Sequence, residues 1–418
     1  MRIQLWSYNY DPEPTGIGPV SRVWAEGLRD RGHHVDVVAA HPHYPEPVWG
    51  SRVLPYREVR NGIPVLRLPL WIGRDTAVER YRQELSFMSA QFVALPALSR
   101  ADVLVSASPS FPALFPAMLN ARKRRTRWVI WLHDILPDGA ASSGIVDEGS
   151  VVIRAARRLE RAAYQEANRI VVLSEAFTRN LTEKGVPESK IQLIYDPATR
   201  VPRQEPSSEP HAQPPRLLSM GNIGYSQGLA PLVAAFERSD ALANTPVQFV
   251  ITGNGMAADD TRSEIRSKRI EMPGVVDDGR LEEELQAATI AFVSQQHEGA
   301  EFNIPSKIMN FMTYGLPVLA AVNPGGEVAR IVERAGAGWV VDSSDPDSFP
   351  RKLAEILRAP AEITARGRAA YQYAQRHFTQ AGFAERFDNA LSEVIESRPT
   401  KPIATTYTNH APPLPPKS

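Results

Sequence analysis

Between residues 2 and 173 short apolar runs alternate with longer amphipathic stretches, and after a proline-rich break the same alternation starts again. A nearly continuous apolar run suits a strand whose sheet is covered by helices on both faces, so this pattern predicts mostly parallel sheets. Residues 2–8, Val35–Ala40, Val103–Ala107, Trp128–Leu132 and Arg169–Leu173 read as such strands. Val53–Leu54 and Pro64–Leu68 add short strands around an Asn61-Gly62 turn. Helices fit at residues 18–31, closed by Gly32, and at 77–99, 109–123 and 150–167. Residues 202–215 hold five prolines and read as a linker. Beyond it, Arg216–Met220, Val247–Thr252, Arg269–Met272, Ile290–Val293, Val318–Ala321 and Gly338–Val341 read as six further strands. Helices are expected between them at 228–240, 280–287, 305–314, 325–335 and 345–357, with terminal helices over 361–396. The fold class is therefore α/β, with two open sheets whose carboxyl edges are expected at a shared cleft, where such sheets bind ligands.

Composition narrows the function. A length of 418 residues predicts two domains. Acidic and basic residues balance at 47 each, so nothing global points to nucleic acid. The absence of cysteine excludes disulfides, thiolate catalysis and cysteine-ligated zinc. Arg2–Trp6 reads as a strand with no secretory leader, and no run reaches about 18 apolar residues, so a cytoplasmic enzyme is expected. One local exception is the basic run of Arg122, Lys123, Arg124, Arg125 and Arg127. It fits a solvated helix end, or an electrostatic contact with anionic lipid or a polyanionic acceptor.

The segment Asn303–Val318 carries the sharpest chemical signal. Ser306, Lys307 and Asn310 interrupt an apolar, helix-sized stretch near its start. Free N–H groups and a partial positive charge at a helix start, joined by a lysine, suit a diphosphate. An amphipathic helix with one capping serine fits the same residues. Four strand-exit segments join it as candidates. Asp11–Gly18 brings Gly16 and Gly18 to a turn, and strand 128–132 runs into His133 and Asp134. His133 can donate to a phosphate or sugar hydroxyl or exchange a proton, and Asp134 can hold it or cap the next segment. Met220–Leu229 offers Gly221, Asn222, Ser226 and Gln227, with Gly253-Asn254-Gly255 after the next strand. Residues 295–303 bring Glu298 and Glu301, whose carboxylates can accept sugar hydroxyls. Neither His41 with His43 nor His297 with Glu298 and Glu301 makes a metal motif, so no metal is predicted. Each glycine segment also reads as a plain turn.

Taken together, Tyr8–Gly18, His41-Pro42-His43-Tyr44-Pro45-Glu46, Gly221-Asn222-Ile223-Gly224 with Gln227-Gly228, and Pro305-Ser306-Lys307 resemble one bacterial family. Over about residues 1–395 the chain is similar to retaining, family 4-type glycosyltransferases of the GT-B fold, of the colanic-acid and exopolysaccharide branch. The resemblance implies two Rossmann-like open-sheet domains facing across a cleft. Residues 1–201 would bind the acceptor, 202–215 link, and 216–382 bind the nucleotide sugar; 383–397 would be a terminal helix crossing back, and 398–418 a disordered tail. It implies a hexosyl- or N-acetylhexosaminyltransferase using a nucleoside diphosphate sugar, UDP-linked in many relatives, as substrate with no cofactor or obligatory metal. The acceptor would be a glycan, a polyprenyl-linked intermediate or a small molecule, with the enzyme cytoplasmic or peripheral at the inner face of the plasma membrane. By the same resemblance His133, Lys307, Glu298 and Glu301 are catalytic, and Gly16, Gly18, Gly221, Asn222, Gln227, Gly253, Asn254, Ser306 and Asn310 bind the donor. Asp134, His41, His43 and Tyr44 lie on the acceptor side. The chain departs from the pattern in three places. Asn222 and Gln227 stand where many relatives place an arginine and a lysine against the phosphates, and Asn310 stands where a ribose-binding glutamate is usual. A transferase acting on a soluble natural product, an epimerase, a phosphorylase and a catalytically weak nucleotide-sugar-binding scaffold remain as alternatives.

Overall fold

Fourteen strands pair into two sheets in the computed structural model, which describes residues 1–14, 16–43, 53–73, 76–108, 110, 112–134, 151–203, 214–296 and 304–397. The first sheet is built from β1 (Arg2–Ser7), β2 (His34–Ala40), β3 (Tyr56–Arg60), β4 (Ile63–Leu68), β5 (Val103–Ser108), β6 (Arg127–Leu132), β7 (Arg169–Val172) and β8 (Ile191–Leu193). Its order is β3-β4-β2-β1-β5-β6-β7-β8, parallel throughout except for the β3–β4 hairpin. The second contains β9 (Arg216–Met220), β10 (Gln248–Thr252), β11 (Ile270–Gly274), β12 (Ile290–Ser294), β13 (Val318–Val322) and β14 (Gly338–Asp342), in the order β11-β10-β9-β12-β13-β14 and all parallel. The two doubly covered α/β sheets expected from the apolar runs are present. β5, β12 and β13 are buried along their whole length, as strands between two helix layers must be.

Two strands differ from expectation. The outer arm of the hairpin is Tyr56–Arg60 and not Val53–Leu54, whose side chains are 84% and 77% exposed. An edge strand facing solvent on one side alternates polar and apolar residues, so Tyr-Arg-Glu-Val-Arg lacks the continuous apolar signal. β8, three residues of intermediate exposure at the other edge, is missed for the same reason. The predicted tail, and most of the predicted linker, lie outside the described residues.

The chain divides into one unit of Met1–Tyr195 joined by the segment from Phe383 onward, and another of Asp196–Gly382. The first core centres on Trp24 and Trp131, stacked at 6.2 Å. Gln380–Glu396 is a helix that presents Phe383, Phe387, Leu391 and Val394 to this core, with Phe387 edge-on to Trp131 at 5.1 Å. Each such aromatic or aliphatic side chain contributes roughly 1.5–3 kcal/mol on burial. The contact is close at Gly27, where a Cβ would stand 2.6 Å from that of Ala384. Asp388 on the same helix accepts from Arg31 at 2.7 Å and pairs with His33 at 2.8 Å. The second unit has its own aromatic core of Phe236, Phe249, Phe292 and Phe349. Among the described residues no helix is long and apolar enough to cross a membrane.

Candidate active site

In an open parallel sheet the ligand-binding crevice forms beyond the carboxyl ends of the two strands where the order reverses. In the second unit these are β9 and β12, and the segments leaving them meet. Gln296, just after β12, donates its N–H to Ser226 O at 2.8 Å. Tyr225–Gln227 forms one 3₁₀ turn, and Gly228 then takes φ +57° to open the helix Leu229–Arg238. The helix Ser306–Thr313 starts after Pro305 without a side-chain cap, leaving its first N–H groups available. Lys307 in its first turn is 8% exposed and donates from Nζ to Gln227 Oε1 at 3.0 Å. Burial pushes the ammonium down to about 8. Among the described residues no carboxylate lies within ion-pair distance of it. Among those residues this nearly buried cation faces one neutral amide, a charge that an entering anion would balance.

The neighbouring loops are held by backbone contacts that only glycine permits. Gly221 N–H donates to Thr252 O at 2.9 Å, Ile223 N–H to Asn254 O at 2.9 Å, and Gly253 N–H to Gly274 O at 2.7 Å. Gly253 has φ +120°, and a Cβ there would stand 1.8 Å from Gly221 O. Asn254 turns its Oδ1 back to Gly255 N–H at 2.9 Å, while Asn222 is exposed beside it. Ser306 is exposed at the helix start.

Asn310 does not share the environment of Lys307. Its Oδ1 accepts the N–H groups of Thr199 and Arg200, each at 3.0 Å, and it is 6% exposed. The asparagine clamps the start of the second unit, with Nδ2 also donating to Thr199 Oγ1 at 3.5 Å. Asn310→Ala is expected to lower stability by about 2 kcal/mol, since two half-buried amides lose their acceptor; a urea midpoint measurement reads this directly.

In the first unit the order reverses between β1 and β5. The loop after β1 is braced from several sides. Arg60 donates to Asp11 at 2.8 Å, and the buried Arg67 donates to Asp11 O and to Glu58 at 2.8 Å. Glu13 accepts from His43 N–H at 2.9 Å and from Asn9 at 3.0 Å. Gly18 is required where the helix Gly18–Asp30 starts, since a Cβ would meet Glu13 O at 2.7 Å. Gly16 takes φ +64° in open space. His41 and His43 are 4% and 0% exposed, so these two acceptor-side candidates shape the loop from within. Tyr44, Glu298 and Glu301 lie outside the described residues.

Beyond β6, His133 N–H donates to Ser108 O at 3.1 Å, and the ring packs 4.5 Å from that of Trp131. The residue is half-buried, but its Nε2 is shut off from solvent and desolvation pushes the imidazole down to about 3. It is neutral near pH 7, able to make hydrogen bonds but carrying no charge. Sequence reasoning missed Glu84, on the helix Ala77–Ala94, whose Oε2 lies 3.4 Å from Ser110 Oγ. Burial, reinforced by Asp134 against the Ser110 hydroxyl, pushes this carboxyl up to about 7. No local motif marks it, because the pairing spans 26 residues.

Two family models match the chain in succession: a glycosyl transferase 4-like domain over residues 15–196 and glycosyl transferases group 1 over 201–376. The chain is a GT-B-fold glycosyltransferase. It is 24% identical over 413 residues, 94% of its own length and all of the relative's, to WcaI of Escherichia coli, whose name is that of a colanic acid biosynthesis glycosyl transferase. The same architecture is seen in sucrose-phosphate synthase of Thermosynechococcus elongatus (TM-score 0.69, 17% identity, 94% of this chain and 99% of that one). It is seen also in Anabaena HepE bound to UDP-glucose (TM-score 0.64, 15% identity, 94% and 100%). The transferase moves a sugar from a nucleoside diphosphate sugar to an acceptor. Among its described residues no group of three or more His, Asp or Glu is placed to hold a metal ion.

Proposed function

We propose that the protein is a retaining, family 4-type transferase that moves a hexosyl or N-acetylhexosaminyl group from a UDP-sugar to a hydroxyl of a glycan or polyprenyl-linked acceptor in exopolysaccharide assembly. Lys307 carries this reading, as a nearly buried cation at the second sheet's switch point that, among the described residues, faces only the Gln227 amide. The likeness to a relative named for colanic acid biosynthesis supports the branch, and the UDP-glucose complex of HepE supports the base.

In this reading the second unit takes the donor. Lys307, Ser306 and the free N–H groups of their helix hold the diphosphate, and Gly221, Asn222, Gln227, Gly253 and Asn254 line the loops around it. Asn310 offers Nδ2 to a ribose hydroxyl, and Glu298 and Glu301 accept sugar hydroxyls. The first unit takes the acceptor, with Asp134, His41, His43 and Tyr44 ordering the acceptor side and Gly16 and Gly18 giving its backbone close approach to the donor diphosphate. The acceptor oxygen attacks the anomeric carbon on the face from which the diphosphate leaves. One carbon–oxygen bond forms as the other breaks, and the departing oxygen takes the acceptor's proton. Lys307 offsets the charge developing on that oxygen, and His133 adds a hydrogen bond. Exposed Val93, Phe115 and Leu119 beside the basic run fit peripheral attachment at the inner membrane face. The neutral Asn222 and Gln227 favour a second reading, a weakly catalytic donor-binding scaffold.

The deciding experiment is ligand-observed NMR against UDP, GDP, dTDP and ADP sugars, with Lys307→Ala as control. Selective binding lost in the variant supports the donor site, and no binding by folded protein removes it. Calorimetry supplies the pH dependence. A lysine titrating near 8 must be protonated to pair with a diphosphate, so affinity is expected to be flat below about pH 7 and to fall up to about tenfold per unit above 8. Binding at pH 8 should take up about half a proton. An affinity unchanged to about pH 9.5 would remove Lys307 from the phosphates.

A further inference from the structure

At the other edge of the first sheet, where β1, β5 and β6 begin, a pocket of about 340 Å³ is lined by Arg100, Asp102, Arg124, Arg125, Arg127 and Ile395, among others. The six residues of β6 separate Arg127 from His133 by roughly 20 Å, so this pocket is not part of the sugar-transfer edge. Four guanidinium groups stand against one carboxylate, leaving three positive charges. Arg124 is fixed by donating to Leu98 O at 2.9 Å and Leu95 O at 2.8 Å, and Arg127 by donating to Ser397 O at 2.5 Å. These carbonyls orient the cations without neutralising them. Asp102 accepts the N–H of Arg2 at 2.7 Å. Among the described residues, the Arg100 and Arg125 side chains make no hydrogen bond or ion pair.

Arg125 adds a second observation. It closes the helix Leu114–Arg124 with φ +56°, a left-handed position where glycine or asparagine fits without strain. An arginine at this cost, beside three others, is explained by its charge rather than its backbone. Guanidinium forks match phosphate oxygens two at a time, and the volume suits a ligand larger than a single small ion.

We propose that this pocket binds a phosphoryl anion of the diphosphate class, either free in solution or carried by a lipid headgroup. The proposal is independent of the donor site. Its test uses the full chain with Lys307→Ala, which silences the sugar-transfer edge, with and without Arg100→Ala and Arg125→Gly. Glycine keeps the backbone angle, and neither arginine holds a neighbour, so the fold survives; Arg100→Glu alone gives a second route to the same loss. One arm titrates inorganic pyrophosphate by calorimetry. The other measures co-sedimentation with phosphatidylglycerol vesicles against phosphatidylcholine vesicles. A drop of tenfold or more in pyrophosphate affinity on removing the arginines supports a soluble ligand, and the same drop confined to anionic vesicles supports a headgroup. Equal binding with and without the arginines in both arms, or no binding in either, overturns the proposal. With Lys307 intact, the Arg100/Arg125 variant is expected to keep its nucleotide-sugar affinity, which separates failure here from failure of the donor assignment.

Discussion

Lys307→Met is expected to make the protein more stable and at the same time to remove its donor binding. The folded state holds this ammonium near 8 against an ordinary 10.5, by desolvation. Such a shift corresponds to about 3 kcal/mol spent keeping the charge in place. The hydrogen bond to Gln227 returns roughly 1 kcal/mol of that. Methionine fills nearly the same volume and owes no desolvation, so a net gain of about 1–2 kcal/mol is expected, read as a melting temperature higher by roughly 2–8 °C. The sign follows from the direction of the shift. The penalty is complete below about pH 8 and disappears as pH rises toward 10.5, so the advantage of methionine should narrow over that window. On the proposed assignment turnover should fall about a hundredfold, because the departing diphosphate would lose the Lys307 charge. Calorimetric melting with a nucleotide titration checks both halves. A variant that is less stable and binds donor normally would make Lys307 an ordinary structural residue.

Gly253→Ala is expected to be the most damaging single-methyl change at the site. The new Cβ would lie 1.8 Å from Gly221 O, and both partners are backbone, so no side chain can rotate away. The φ of +120° adds strain of its own. A loss of more than about 4 kcal/mol is expected, either as failure to fold or as a second unit that melts separately and binds no nucleotide. Gly274→Ala is the control. Its φ is +84° but nothing lies within 4 Å of the added methyl, so about 1 kcal/mol is expected. Equal losses at the two positions would show that backbone angle, and not the contact between the β9 and β10 loops, sets the cost.

The strands were legible because burial on both faces leaves an unbroken apolar run, as in Val-Leu-Ala-Ala-Val of β13. β3 and β8 were not, since an edge strand needs only one apolar face or none. Lys307 could be singled out from its own neighbours, but its contact with Gln227 joins positions 80 residues apart and no local pattern encodes it. Asn310 shows the converse. Its place in the helix was readable, yet its side-chain oxygen is taken by two amides from about 110 residues earlier. Arg122–Arg127 was visible as a basic run, but the pocket that Arg124, Arg125 and Arg127 form with Arg100 depends on β5 and β6 starting side by side.

The helix Gln380–Glu396 sets an order of assembly during synthesis. The first unit leaves the ribosome before the second, yet Phe383 and Phe387, which pack against Trp131 and, for Phe387, Trp24, are among the last of its core to be translated. At typical elongation rates the gap is on the order of 10–40 s. The second unit is one unbroken stretch, Asp196–Gly382, so it can finish folding while its predecessor still waits with two tryptophans uncovered. A nascent chain stalled before Phe383 would therefore be a chaperone client through its amino-terminal half, although that half was made first.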